Sequence, residues 1–136
     1  MTHSTETKAT ISHTELDQEF WTDERCHIIE IANSDNDPDV SIARARVEPG
    51  VTTAWHLLHG ITERYHILEG EGVVEVGELD PEPVSAGSTV IIPPQVRQRI
   101  TNSGTEDLIF LAICSPRFVV DAYEELTEFE AEKDGK

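Results

Sequence analysis

Lysine is the scarcest charged residue of this 136-residue chain and occurs only as Lys8, Lys133 and Lys136. Acidic residues outnumber basic ones by 27 to 10, for a formal net charge of -17. A chain this acidic would repel nucleic acid. Two interpretations of the charge stay open. Either the surface suits a salt-rich cytoplasm, where ions screen its self-repulsion, or the protein is merely acidic and carries an acidic C-terminal segment.

Long hydrophobic runs are also missing. The longest extends from Leu108 to Cys114, far short of the ~20 apolar residues that a membrane helix needs. The first ten residues are polar and lack a basic stretch followed by an apolar one, so they do not resemble a secretory signal. We therefore expect a soluble, cytoplasmic protein with no membrane partner.

Cysteine is rare, and several catalytic motifs are absent. Cys26 and Cys114 lie in apolar, strand-like runs, where an isolated cysteine usually behaves as a small buried hydrophobe. Two cysteines in such a chain are weak evidence for a disulfide. The sequence contains no glycine-rich phosphate loop, no Cys-x-x-Cys pair and no Gly-x-Ser-x-Gly elbow.

Short apolar segments separated by turns dominate the chain. We expect residues 1–12 to form a polar arm that is flexible or exchanged with a partner, residues 13–118 to form a barrel, and residues 119–136 to form an acidic C-terminal segment. A mostly solvated, peripheral helix is expected from about Val119 to Glu130. The predicted strands are Cys26–Ala32, Ser41–Glu48, Thr52–Leu57, Glu63–Glu69, Gly72–Val76, Thr89–Ile92, Arg97–Thr101 and Asp107–Cys114. Their spacing is typical of an all-β sandwich or barrel.

The segment between Gly50 and Gly70 carries the residues best suited to chemistry. His56, His59 and Glu63 lie close together in it. Two histidines and one carboxylate form the facial ligand set that non-haem iron enzymes use. If the strands bearing the histidines and the glutamate form a hairpin, these side chains can point into the barrel together.

Two motifs in this region resemble those of the cupin superfamily. Gly50, His56, Glu63 and Gly70 match the first motif, which is Gly, five residues, His-x-His, three or four residues, Glu, six residues, Gly. The second motif resembles residues 87–102, where Gly87, Pro93 and Asn102 match. The resemblance runs from about 41 to 114 and implies a small single-domain cupin of the cupin 2 type. The implied fold is all-β, a double-stranded β-helix or jelly-roll-like barrel, here with a short peripheral C-terminal helix.

The chain departs from the family pattern at two ligand positions. The second histidine is expected at position 58, where the chain has Leu58, and His59 follows it. Since strands alternate their faces, His59 needs a bulge or an early turn to point inward. Gln98 replaces the last histidine of the family, and its neutral amide binds a first-row ion less well than imidazole does.

The resemblance implies a divalent ion, Fe, Mn, Zn, Ni or Cu, held by His56, His59, Glu63 and Gln98. Such a site would serve a small-molecule enzyme of the dioxygenase, isomerase or lyase type, because the fold alone does not choose among them. Glu63 and Tyr65 are the candidate catalytic residues. The alternative is a non-catalytic cupin that binds a small ligand with weak or no metal. Either protein is expected to form a homodimer.

Each candidate also has an ordinary structural interpretation. His56 could be a buried, hydrogen-bonded histidine. Glu63 could pair with Arg44, Arg46 or Arg99, because a buried carboxylate needs a cation or donors. Gln98 could donate hydrogen bonds to a ligand or to the backbone. Tyr65 could be a core residue.

Overall fold

Two antiparallel sheets face each other in the computed structural model, which describes residues 7–134. The expected arm thus falls partly outside the described residues; residues 7–12 have no regular structure and are exposed. The strands are β1 (Phe20–Thr22), β2 (Cys26–Ala32), β3 (Ser41–Val47), β4 (His56–Leu58), β5 (Thr62–Glu69), β6 (Glu71–Val76), β7 (Glu82–Ser85), β8 (Thr89–Ile92), β9 (Gln98–Asn102), β10 (Leu108–Ser115) and β11 (Tyr123–Glu125). This confirms the predicted all-β, cupin-like barrel.

The order of strands in the sheets places the candidate residues on both walls of the barrel. The larger sheet has the order β1-β2-β3-β10-β5-β8, and the smaller one has the order β11-β4-β9-β6-β7. Glu63 and Tyr65 lie on β5 in the larger sheet, whereas His56 and Gln98 lie opposite each other on β4 and β9 in the smaller one. The two groups therefore meet in the space between the sheets.

Alternation along β5 decides which of its side chains enter that space. Glu63, Tyr65 and Ile67 are buried, whereas Arg64 and His66 between them are more accessible. This is the period-two pattern of a strand with one face on the core. The buried core between the sheets also includes the apolar residues Val47, Val74, Ile92, Ile100, Leu108 and Phe110.

The C-terminal segment differs from the predicted helix. Its α-helix, α1 (Glu128–Asp134), begins later, where the side chains of Thr127 and Glu130 each accept a hydrogen bond from the other's backbone N–H. Before it, β11 pairs with β4. Leu126 and Ala131 pack on Trp55 and Leu57 outside the barrel. The prediction of a helix from Val119 was wrong because this packing and strand pairing override the local composition.

The two cysteines are both free and buried in the structure. Burial raises the pKa of each thiol to about 12, so neither carries the thiolate needed for nucleophilic or redox chemistry. This agrees with the prediction that they are small buried hydrophobes.

Candidate functional site

A cavity of about 410 Å³ lies between the sheets and is lined by residues of both. Its walls are mainly apolar, with Ile28, Ala43, Leu58, Ile100, Phe110 and Phe118 among them. His56, Glu63 and Tyr65 line it as well. An apolar cavity with a few convergent polar groups is the usual form of a small-molecule site.

His56 projects into this cavity with one tautomer fixed. Its Nδ1 lies 3.0 Å from the backbone oxygen of Ala54, and because a carbonyl oxygen only accepts, Nδ1–H is the donor. The ring also stacks on Tyr123, with the centroids 5.0 Å apart. In the neutral ring, Nε2 then faces the cavity as a hydrogen-bond acceptor.

Glu63 faces His56 from the opposite sheet. Its Oε1 lies 4.0 Å from Nε2 of His56, beyond hydrogen-bond distance. The residue is 8% exposed, and within residues 7–134 Oε1 has no hydrogen-bond partner. Burial raises the pKa of Glu63 to about 7, against the opposing effects of His56 and of the Gln98 amide, while Glu24 raises it further.

None of the three arginines considered as partners of Glu63 pairs with it. Arg44 and Arg46 contact Glu19, and Arg99 forms two hydrogen bonds with Glu75. The cost of burying the Glu63 carboxylate is therefore reduced only by its partial protonation and by the polar groups beside it.

His59 lies outside the cavity, so the sequence-based proposal that it joins the ligand set receives no support from the geometry. The chain leaves β4 at Leu58, whose side chain lines the cavity in the position the second motif histidine was expected to fill. No bulge turns His59 inward. Its Nε2 donates to Glu124 at 2.7 Å, its Nδ1 accepts from the Gln95 amide at 2.9 Å, and its side chain is 48% exposed.

Gln98 is buried, but its amide oxygen is already engaged. The Tyr65 hydroxyl donates to Oε1 of Gln98, and the Gln98 amide also contacts Glu63 and lowers its pKa. The residue thus connects two cavity side chains. Its oxygen, the atom that would bind a metal, has one of its two lone pairs occupied by Tyr65.

Several polar residues of the cavity were not predicted from the sequence, and Glu24, Tyr123 and Glu125 are among them. Glu24 lies in the turn between β1 and β2. On β11, Tyr123 pairs with Leu58 and Glu125 pairs with His56, so both share the inward face of β4. The acidic C-terminal sequence gave no signal for a cavity wall, because it was interpreted as a solvated helix.

The sequence also matches a known family. Residues 43–114 match the family model of the cupin domain. The chain belongs to the cupin family. This cupin is 37% identical over 71 residues to the oxalate-binding protein of Thermotoga maritima, an alignment that covers 52% of this chain and 58% of that protein. The chain spans about three fifths of the length of the curated relatives it matches.

Solved structures share the fold at low sequence identity. The nucleoside dehydratase Pac13 superposes with a TM-score of 0.70 at 16% identity, over 86% of this cupin and 92% of that chain. KdgF from Halomonas sp. superposes with a TM-score of 0.67 at 18% identity, over 80% and 96%. Within residues 7–134, no helix is long and apolar enough to span a membrane.

The side chains that could coordinate a metal ion in the cavity fit weak binding better than tight binding. The unpartnered Oε1 of Glu63 and the free Nε2 of His56 are two atoms well suited to coordinate a metal ion. However, the described residues contain no group of three His, Cys, Asp or Glu side chains that could hold a metal. Protein sites for first-row metals commonly use at least three protein ligands.

Proposed function

We propose that this cupin binds a small polar organic molecule in its barrel and transfers a proton on it through His56 and Glu63. The reaction type would be that of a lyase or isomerase. The observation that carries the proposal is the unpartnered Oε1 of the buried Glu63, 4.0 Å from Nε2 of His56 on the cavity wall. A polar group of a ligand placed there would satisfy both atoms.

The two side chains are suited to opposite roles in proton transfer. General acid–base groups work best when their pKa lies near the operating pH, and the pKa of Glu63 is about 7. The Ala54 carbonyl fixes the ring of His56 so that Nε2 is the basic atom in its neutral form. Part of the Glu63 population is then a neutral acid beside a base.

An elimination illustrates how the pair would act. Nε2 of His56 takes a proton from the carbon next to a carbonyl group, and the carbon–hydrogen electron pair forms the new double bond. Neutral Glu63 gives its proton to the departing hydroxyl group, which leaves as water. The proton then on His56 returns to Glu63, which restores the pair. The nucleoside dehydratase that shares this fold is named for a reaction of this kind.

Proton exchange in heavy water would test the proposal across a panel of candidate substrates. Small hydroxy and carbonyl compounds are incubated in D₂O with protein that has been treated with a chelator to remove metal ions. Deuterium uptake or loss of water is followed by proton NMR. We expect turnover of at least one compound by the wild type, and its loss in both Glu63→Gln and His56→Gln. His59→Gln is the matched control and should keep the activity. Ligand binding without exchange would support the non-catalytic alternative instead.

A divalent ion in the barrel is the second candidate function. It is favoured by the fixed tautomer of His56, since metal-bound histidines usually donate their other N–H to such a carbonyl. His56 and Glu63 would hold the ion, and its chemistry would be to polarise a carbonyl or activate O₂. Elemental analysis of protein purified without nickel or chelator tests this candidate. Stoichiometric metal in the wild type that is lost in His56→Ala would support it.

The homodimer stays a proposal as well. It is supported by the edge position of β1, where Phe20 and Trp21 are 50% and 54% exposed, since edge strands readily pair with a second chain. Light scattering coupled to size exclusion would give the mass, and a monomeric mass across dilutions would exclude the dimer.

A further inference from the structure

Four carboxylates besides Glu63 line the cavity, Asp23, Glu24, Glu30 and Glu125, and we call them the mouth carboxylates. Glu24 is partly buried and the other three are exposed. Glu63 adds a fifth carboxyl group deeper in the cavity. Among the described residues that line the cavity there is no lysine and no arginine.

The mouth carboxylates differ from other acidic residues of this cupin. Glu19, Glu75, Asp107 and Asp35 each pair with an arginine. In the described part of the chain, by contrast, none of the four mouth carboxylates has a lysine or arginine nitrogen within 4.0 Å. No lysine or arginine of the described residues therefore neutralises these carboxylates, while burial raises the pKa of Glu24 and of Glu30.

Two arginines that are adjacent in sequence to cavity residues, Arg25 and Arg64, are engaged elsewhere. Arg25 donates through Nε to the backbone oxygen of Thr52 at 2.8 Å. Arg64 donates to the Ser115 hydroxyl and to the backbone oxygen of Thr62. Neither lines the cavity. An anionic ligand would therefore meet five carboxyl groups with only His56 as a source of positive charge.

Aromatic rings also line the cavity beside these carboxylates. Phe20, Phe118 and Tyr123 line the same cavity as Glu24 and Glu125. Aromatic faces attract ammonium groups, and the effect grows when the cation leaves water. Two buried oxygen atoms in the cavity, Oε1 of Glu63 and the hydroxyl of Tyr123, also lack partners within residues 7–134. Both can accept a hydrogen bond from an O–H or N–H group of a ligand.

We propose that the ligand of this cavity is a compact organic cation, with an ammonium group held among the mouth carboxylates and the rings of Phe20, Phe118 and Tyr123. This rests on the proposed function, since it names the class of molecule on which His56 and Glu63 act. The cationic end lies toward the mouth, and the reacting part of the molecule reaches the His56–Glu63 pair. The cavity thus selects against carboxylates and phosphates.

Calorimetric titration with matched probes tests the charge preference. Choline and its neutral, carbon-centred isostere 3,3-dimethylbutanol have nearly the same shape, and oxalate supplies the opposite charge. All are titrated into chelated protein at one ionic strength, because salt screens exposed charges. We expect choline to bind, and the isostere and oxalate to bind at least about tenfold more weakly, which corresponds to roughly 1.4 kcal/mol.

Variants that each remove one negative charge test which of the mouth carboxylates bind choline. Glu24→Gln and Glu125→Gln should each weaken choline binding about fivefold, a loss of roughly 1 kcal/mol. Glu124→Gln is the matched control, because it removes the same charge from the neighbouring residue, whose side chain pairs with His59 outside the cavity. Its choline affinity should stay within about twofold of the wild type.

Several outcomes would overturn the proposal. They are the absence of choline binding, equal binding of the isostere, tighter binding of oxalate, and an equal loss of affinity in Glu124→Gln. Displacement of choline by Mg²⁺ or Mn²⁺ at equal concentration would show that the mouth carboxylates bind a metal ion rather than an organic cation. Failure of the proton-transfer reaction is a separate result, since choline binding is measured without turnover.

Discussion

The hydroxyl of Tyr65 donates a hydrogen bond to Oε1 of Gln98, and this contact decides which end of the amide is engaged inside the barrel. Because this oxygen already accepts from Tyr65, Gln98 acts as a buried hydrogen-bonding group behind the cavity that lowers the pKa of Glu63. Tyr65 therefore acts on the site through Gln98, in addition to packing on Phe110 with the ring centroids 4.6 Å apart.

Replacing Tyr65 by Phe should destabilise the protein. The change removes the donor to Oε1 of Gln98, whose residue is 1% exposed, and an unsatisfied buried acceptor costs roughly 1–3 kcal/mol. Urea denaturation measures the free energy of unfolding. Tyr123→Phe is the matched control, because the Tyr123 hydroxyl has no partner within residues 7–134, and its loss should cost less. Equal losses in the two variants would contradict the assigned contact.

The variant Glu63→Gln should gain stability relative to the wild type as the pH rises. The folded pKa of Glu63, about 7, lies above its ordinary value of 4.5, so the neutral carboxyl favours folding. That contribution is complete below about pH 4.5 and is lost as the pH rises through about 7. Above about pH 7, ionisation of the buried Glu63 makes the wild type less stable than it is below about pH 4.5, by an amount on the order of 3 kcal/mol. The glutamine of the variant does not ionise, so the variant does not lose this stability.

Unfolding free energies of the chelated proteins between about pH 4.5 and 8 check this, because linkage makes the difference between variant and wild type depend on pH. Glu69→Gln is the control, since Glu69 lies on the same strand, β5, but is exposed. Its difference from the wild type should stay nearly constant. A difference for Glu63→Gln that also stays constant would show that Glu63 is ionised normally.

Removing His59 should leave the cavity unaffected. Its ion pair with Glu124 joins side chains that are 48% and 47% exposed, and pairs of this kind contribute about 0–1 kcal/mol. In thermal-shift titrations with any ligand or metal that stabilises the wild type, His59→Ala should keep the full shift and His56→Ala should lose most of it. The opposite pattern would return His59 to the site.

Gly70→Ala should destabilise the fold far more than Gly60→Ala. Both glycines have positive φ, +91° and +75°, where an alanine is strained by roughly 1–2 kcal/mol. At Gly70 a Cβ would also lie 2.6 Å from the backbone oxygen of Asp107, whereas at Gly60 it would meet nothing within 4 Å. We expect a loss of about 3 kcal/mol or more at Gly70, measured by thermal or urea unfolding. Similar losses at both positions would contradict the close approach.

Sequence motifs predicted the barrel better than they predicted the site. The strands β2 and β8 have the predicted bounds, and most others differ by one residue at one or both ends, because their apolar alternation is local. The strand predicted for Thr52–Leu57 was shifted: the structure has His56–Leu58, with Thr52 in an isolated bridge to Thr101. Such pairing depends on a distant strand and leaves no local pattern.

The short strands β1, β7 and β11 were missed for a similar reason. Each has three or four residues, too few for a visible period. In the site, His56 and Glu63 lie in the cavity as expected, whereas the position of His59 depends on whether a bulge forms. The turn at Gly60 and the hydrogen bond from the His59 N–H to the Ala122 oxygen instead direct it outward.

The β11 strand has a consequence for how a cupin of this kind could change its ligand. Tyr123 and Glu125 line the cavity, yet both lie beyond residue 114, where the match to the family model ends. Glu24 lies before that match begins. The shared barrel thus supplies His56 and Glu63, whereas segments outside it supply the four mouth carboxylates. Two proteins could therefore keep the same barrel strands and accept molecules of opposite charge through exchange of their terminal segments alone.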